Sequence, residues 1–286
     1  MSDRLKQYAL LMRLDKPVGI YLLLWPTLWA IWIASEGKPD PLVLFVFVAG
    51  VILMRSAGCV INDFADRKID AHVQRTEDRP IAAGRVSSKE AIILFVILCL
   101  IAFGLVLFMN SLTIKLSFVA VLLAASYPFM KRFTHLPQFY LGFAFGWAIP
   151  MAFAAIQNSV PPIAWILLLA NLIWAVIYDT MYAMVDREDD LKIGVKSTAI
   201  LFGEHDLMII GMLQFLMLIL LLVAGNMANP NSLGWPYHLS LLISAALMLQ
   251  HRVLIREREA AKCFQAFKQN HWIGLVVLFG IILSLL

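Results

Sequence analysis

Nine apolar runs divide this chain, at about 18 to 34, 42 to 60, 91 to 109, 112 to 129, 138 to 156, 162 to 180, 206 to 225, 236 to 250 and 271 to 286. A helix needs roughly 20 mainly apolar residues to cross a bilayer, so most of these runs read as spans. Composition agrees: 61% of residues are hydrophobic and 15% charged, with mean hydropathy +0.81, far from a water-soluble domain. The expectation is an all-α integral membrane protein, one polytopic domain over residues 1–286, with nine transmembrane helices bundled around a central cavity. The first run is preceded by Asp15 and Lys16 and is long enough to span, so it reads as a first helix and not as a cleaved signal.

Cations test the count, because loops on the cytoplasmic side keep Lys and Arg. With nine spans, one side receives Arg4, Lys6, Arg13, Lys16, Arg67, Lys68, Arg75, Arg79, Arg85, Lys89, Lys131, Arg132, Arg187, Lys192, Lys196, Arg252, Arg256, Arg258, Lys262 and Lys268. The other side has Lys38 and Lys115. This predicts a cytoplasmic N-terminus, an external C-terminus and a break at Asn110 and Ser111 between the third and fourth runs. The net charge of +4 then reflects topology and anionic lipid headgroups, and no nucleic-acid partner is needed to explain it. Cys59, Cys99 and Cys263 lie far apart, so neither a disulfide framework nor a zinc site is expected.

Three polar segments, 61 to 90, 181 to 205 and 251 to 270, fall on the cation-rich side, and two carry related acidic motifs. Asn62, Asp66 and Asp70 are spaced four apart, as are Tyr182, Asp186 and Asp190, and each Asp of the second set follows its counterpart by 120 residues. That offset equals four spans and preserves orientation, so two related half-bundles facing one cavity are predicted. On a continuous helix, 62, 66 and 70 would form one column, and 179, 182, 186 and 190 another. Like charges four apart repel by some tenths of a kcal/mol, and a carboxylate drawn into the membrane costs about 2.5 to 3.5 kcal/mol, so a compensating partner is required. Hard divalent cations take such oxygens, and Mg²⁺ in particular bridges carboxylates to phosphate. For Glu77, Asp78, Glu188 and Asp189 the plainer reading, solvated helix ends, is preferred.

Asn62-Asp63-x-x-Asp66-x-x-x-Asp70 with Asp179-x-x-Tyr182-Ala183-x-x-Asp186-x-x-x-Asp190 is a specific pair of motifs. Together with Asp15-Lys16-Pro17, Leu24 to Trp29, Gly58 to Asp63, Tyr127 to Arg132 and Lys192 to Thr198, the chain resembles the UbiA prenyltransferase family, and within it the 4-hydroxybenzoate polyprenyltransferases of bacterial ubiquinone synthesis. The resemblance covers nearly the whole chain. It implies a nine-helix bundle in the bacterial inner membrane and Mg²⁺-dependent transfer of a polyprenyl group from polyprenyl diphosphate to the carbon ortho to the hydroxyl of 4-hydroxybenzoate. Asn62, Asp63, Asp66, Asp70, Asp179, Asp186 and Asp190 are then the expected metal-holding residues, with Asp66, Asp70, Asp186 and Asp190 catalytic.

Around them, Arg67, Lys131, Arg132, Lys192 and Lys196 are candidates for diphosphate, against the alternative of ordinary topological charge. Arg13, Lys16 and Arg55 are candidates for the acceptor carboxylate, with snorkelling to the surface the alternative for Arg55. Tyr127 and Tyr182 could face the carbocation or phenol. Gly142 and Gly146 form a GxxxG, read as internal packing in preference to a dimer contact. No obligate protein partner is evident. Two rival functions stand beside this one: a relative using another aromatic acceptor, and a cation-coupled transporter, which would place its acids near mid-span.

Overall fold

A computed structural model describes residues 3–68, 70, 76–228 and 233–286, and every regular element among them is helical. Arg75, one of the cations counted above, lies outside the described residues. The helices are α1 (Asp3–Leu11), α2 (Val18–Ala34), α3 (Pro41–Asp66), α4 (Ser88–Val106), α5 (Ser111–Ser126), α6 (Pro137–Gly146), α7 (Ala148–Gln157), α8 (Pro162–Ala183), α9 (Arg187–Ile193), α10 (Thr198–Phe202), α11 (Asp206–Met227), α12 (Trp235–Leu254) and α13 (Ala260–Leu285). Seven helical stretches are long and apolar enough to cross a membrane; the predicted runs 18 to 34 and 236 to 250 fall on α2 and α12, outside those seven.

Local chemistry fixes the ends that matter. α3 starts at the Asp40 cap, whose carboxylate accepts the Leu42 amide at 2.7 Å, with Pro41 in the first turn. Its 26 residues span about 39 Å at 1.5 Å per residue, more than the roughly 30 Å of hydrocarbon, so the turn bearing Asn62, Asp63 and Asp66 reaches the membrane surface while still helical. α4 opens with a capping box between Ser87 and Glu90. The expected break between the third and fourth runs is real. Asn110 caps α5 through the Thr113 amide at 3.0 Å, and its side-chain amide donates to the Ala154 and Ala155 carbonyls at 2.6 and 3.2 Å.

α8 is the axis of the bundle, with 78% of its apolar window buried, and it packs on α6, α11 and α13. A Cβ on Gly142 would lie 2.8 Å from the Leu172 Cα, and one on Gly146 would lie 2.6 Å from the Asn171 amide. The GxxxG therefore seats α6 on α8, in internal packing as expected.

Three boundaries differ from the sequence reading. The expected helical column 62-66-70 stops at Asp66, and the second column is interrupted between Ala183 and Arg187, so neither motif lies on one continuous helix. The polar segment 251 to 270 is mostly helix, because α13 begins at Ala260. Searching for unbroken apolar runs discards the charged end of a helix that leaves the membrane.

Candidate active site

The bundle encloses a cavity of about 1290 Å³ at the end where both acidic motifs lie. Asn62 and Asp63 of α3 line it from one side, and Asp179 and Tyr182 of α8 from the other; Arg13, Lys16, Arg55 and Tyr127 complete the polar wall. The two motifs thus converge. Tyr127 is within electrostatic reach of Asp66 on α3, Asp179 on α8 and the guanidiniums of Arg13 and Arg55. Asp179 in turn lies within such reach of Asp186.

The first motif is neutralised by the protein's own cations. Asp63, 1% exposed, takes Arg13 at 2.6 Å and Arg79 at 3.2 Å; Asp70 takes Arg79 at 2.8 Å; Asp66, 2% exposed, pairs with Lys131. At Asp70 burial raises the pKa above the ordinary carboxyl range, with Asp66 and Asp63 adding to the rise and Arg79 opposing it. At Arg13 burial works against the charge, yet Asp63, with Cys59, Tyr182 and Tyr127 adding to it, outweighs burial and the pKa is raised. Arg13 is delivered by a left-handed turn after α1, with φ of +54°.

Tyr127 begins a short 3₁₀ turn, Tyr127–Arg132, that touches both halves of the site. Lys131 meets Asp66, and Arg132 donates to the Ala65 carbonyl at 2.6 Å, both in the first motif. From the opposite side, the Lys196 amide donates to the Lys131 carbonyl at 3.3 Å, and the Lys196 ammonium to the Phe133 carbonyl at 3.4 Å.

The remaining candidates divide. Arg55 does not run out to the surface: its guanidinium lies against Gly19, over the Phe145 ring at 6.0 Å and beside the Cys59 thiol, on the cavity wall. Arg67 folds back onto Phe64, donating to its carbonyl at 2.7 Å. Lys192 stands on the surface, 70% exposed and paired with Asp189 at 3.1 Å, away from the cavity lining. Asp66, Asp70, Asp186 and Asp190 are not among the residues that line the cavity.

Sequence reasoning missed Arg79, Asp78, Tyr178, Phe264, Phe267 and Lys268, all on the cavity wall. Tyr182 packs on Phe267 with ring centroids 4.7 Å apart. A helical reading of 260–268 would have placed the α13 residues on one face; nothing local distinguishes Arg79 from its charged neighbours.

Chemically the lining joins hard oxygen donors, guanidiniums and a long apolar extension. Among the described residues no three His, Cys, Asp or Glu side chains gather closely enough to hold a metal by themselves. The donor set nonetheless suits a hard divalent cation, since it is carboxylate and amide oxygen throughout and the buried Asp66 Oδ1 has no hydrogen-bond partner. The apolar extension runs between α3, α4, α5 and α7, past Val46, Phe103, Val121 and Met151, and reaches lipid-facing Leu100 and Phe118, which are 63% and 55% exposed.

Fold and site define a multi-pass membrane protein with an oxygen- and guanidinium-lined cavity continuous with an apolar groove. The chain belongs to the UbiA prenyltransferase family, whose pattern it matches over residues 23–274. It is 60% identical to the 4-hydroxybenzoate octaprenyltransferase of Alkalilimnicola ehrlichii, covering 100% of this chain and 96% of the relative, and 60% identical to that of Nitrosococcus oceani, covering 100% and 99%. In fold it is similar to a UbiA homolog from Aeropyrum pernix K1, with TM-score 0.80 and 24% identity over 94% of this chain and 98% of that one. A UbiA homolog from Archaeoglobus fulgidus, solved with GPP and Mg²⁺, has TM-score 0.73 and 18% identity, covering 96% and 99%.

Proposed function

We propose that this protein transfers a polyprenyl group from polyprenyl diphosphate to the carbon ortho to the hydroxyl of 4-hydroxybenzoate, releasing diphosphate, in a bacterial inner membrane. The observation that carries the reading is the meeting of Asn62 and Asp63 with Asp179 and Tyr182 on one cavity that continues into an apolar groove open to lipid. An acid-lined transporter would need its carboxylates near mid-span, whereas these lie at one end of the bundle.

The reaction breaks an allylic C–O bond, forms a C–C bond to the ring and releases the ring proton. Asn62, Asp63, Asp66, Asp70, Asp179, Asp186 and Asp190 would hold Mg²⁺, which supplies Lewis-acid neutralisation of the diphosphate leaving group. Arg79, Lys131 and Arg132, with Arg67 and Lys196 as further candidates, give charge-assisted hydrogen bonds to phosphate oxygens, while the exposed Lys192 stands outside this set. Cations that now sit on carboxylates are already desolvated and oriented for that task. Arg13, Lys16 and Arg55 receive the acceptor carboxylate. Tyr127 and Tyr182 present aromatic faces to positive charge at the allylic carbon. The groove between α4 and α5 admits the isoprenoid tail sideways from lipid, so the chain need never cross water.

Nine crossings, a cytoplasmic N-terminus and two four-span repeats within a single domain complete the proposal, supported by the cation distribution and the 120-residue offset of the motifs. Membranes containing the protein are expected to convert 4-hydroxybenzoate and a polyprenyl diphosphate to the 3-prenyl product, with EDTA abolishing turnover and Mg²⁺ restoring it. Turnover that survives EDTA, or that persists in both Asp66→Ala and Asp186→Ala, refutes the reading.

A further inference from the structure

Next to the second acidic motif, a buried carboxylate gathers an ion cluster that no step above uses. Asp206, the first residue of α11, has no solvent exposure. Its carboxylate accepts from Arg187 Nη2, from Arg258 Nε at 3.1 Å and Nη2 at 2.8 Å, and from the Leu207 amide at 2.7 Å. Each guanidinium also donates to a carbonyl, Arg187 to Gly203 at 3.4 Å and Arg258 to Glu204 at 3.0 Å. Arg258 reaches in from the loop between α12 and α13 on a left-handed backbone, φ +54°, an uncommon conformation for a residue with a side chain. One carboxylate therefore ties three separate segments together.

Burying the Asp206 carboxylate is costly, and its desolvation offsets part of the attraction to the two partly exposed guanidiniums. What it does provide is direction. Arg187 immediately follows Asp186, the N-cap at the break between α8 and α9, so the two residues share one short stretch of backbone. Anchoring Arg187 on Asp206 thus fixes how the adjacent Asp186 leaves the turn, within electrostatic reach of Asp179 on the cavity wall. On the other arm, Arg258 holds the loop that launches α13, whose Phe264, Phe267 and Lys268 form part of the cavity wall.

We infer that Asp206 is a positioning residue: acting through Arg187 and Arg258, it holds Asp186 and the α13 wall in the arrangement that binds a divalent cation together with a prenyl diphosphate. This rests on the proposed function and assigns the tuning of its donor site to a residue outside the acidic motifs. Outer groups that orient metal-holding side chains are worth about 10- to 100-fold in metal affinity.

The test uses the full-length protein in lipid nanodiscs. Asp206→Asn keeps the shape and removes the charge. It is expected to raise the half-saturating Mg²⁺ concentration and the KM for geranyl diphosphate about tenfold, leaving the KM for 4-hydroxybenzoate within about twofold. Independently of turnover, Mg²⁺ plus geranyl diphosphate should raise the melting temperature of the variant by less than it raises that of the wild type. Asp206→Glu should recover most of both responses. Should Asp206→Asn not fold, Arg258→Lys, at a partly exposed side chain, keeps the charge but loses the forked contact, and a shift of about threefold in the same two parameters is expected. Unchanged Mg²⁺ and geranyl diphosphate dependence in the variant that folds, or a rise in acceptor KM equal to the rise in donor KM, overturns the positioning role. Wild-type protein that shows the melting response but forms no prenylated benzoate sinks the functional reading instead, so the two failures are told apart.

Discussion

The two acidic motifs share a spacing and differ in almost everything that surrounds it. The first rides the end of α3 and continues past it to Asp70, and its carboxylates are buried against Arg13, Arg79 and Lys131. The second straddles a break, with Asp179 and Tyr182 on α8, Asp186 at the break and Asp190 on a short helix whose Asp189 and Lys192 face solvent. Its rigidity comes from neighbours, Asp206 foremost. Repetition in sequence therefore preserves the oxygen donors while the supporting structure diverges: one half holds its charges with facing cations, the other holds its backbone with an ion cluster behind it.

That contrast can be tested in order of expected effect. Removing a motif carboxylate should be most severe: Asp66→Ala and Asp186→Ala each lower the rate of prenyl transfer by about 10²- to 10³-fold, measured as 3-prenyl product per folded protein, because each removes preorganised charge. If only one of them falls, the halves do not act together. Arg79→Ala comes next. It strips a counterion from both Asp63 and Asp70 and should cost about 2 kcal/mol of stability, read as a lower melting temperature. Arg187 pairs with Asp206, outside the acidic motif, so Arg187→Ala should act through Mg²⁺ dependence more than through melting.

Gly142→Val probes the scaffold common to both halves. Its side chain would meet the Leu172 backbone, 2.8 Å from Cα and 2.9 Å from the carbonyl oxygen even at Cβ, and overpacking of this kind costs about 1 to 3 kcal/mol. The expected outcome is a lower melting temperature with the ratio of donor to acceptor KM unchanged. Lys192→Ala should do least, changing stability by under about 0.5 kcal/mol and turnover by less than about twofold, since its pair with Asp189 is solvent-exposed. A large loss there would mean that α9 folds onto the cavity when substrate binds.

Much of this was legible in the residues because bilayers impose a coarse grammar. Apolar run length located the helices, and Asn110, a strong N-cap, marked the break between the third and fourth. The four-residue spacing of the acids identified the two walls of the cavity. What stayed hidden depends on contacts distant in sequence. Arg79 reaches back to Asp63 and Asp70 across a polar segment that gives no periodic signal. Phe264, Phe267 and Lys268 fall in the polar segment 251 to 270, because the charged start of α13 breaks the apolar run that marks a span. Lys192, by contrast, was placed near phosphate by sequence proximity to Asp190, and the exposed face of α9 carries it away.

The six-residue turn Tyr127–Arg132 sets a rule for how such a chain can vary in length. It grips Asp66 and the Ala65 carbonyl with two side chains and receives the Lys196 amide on its own backbone, so its reach must match a fixed gap on both flanks at once. Insertions at hinges elsewhere can be absorbed by solvent or lipid, but one extra residue here would rotate Lys131 by about 120° and uncouple the halves together. Size changes among proteins of this design should accumulate at other connections and spare this one.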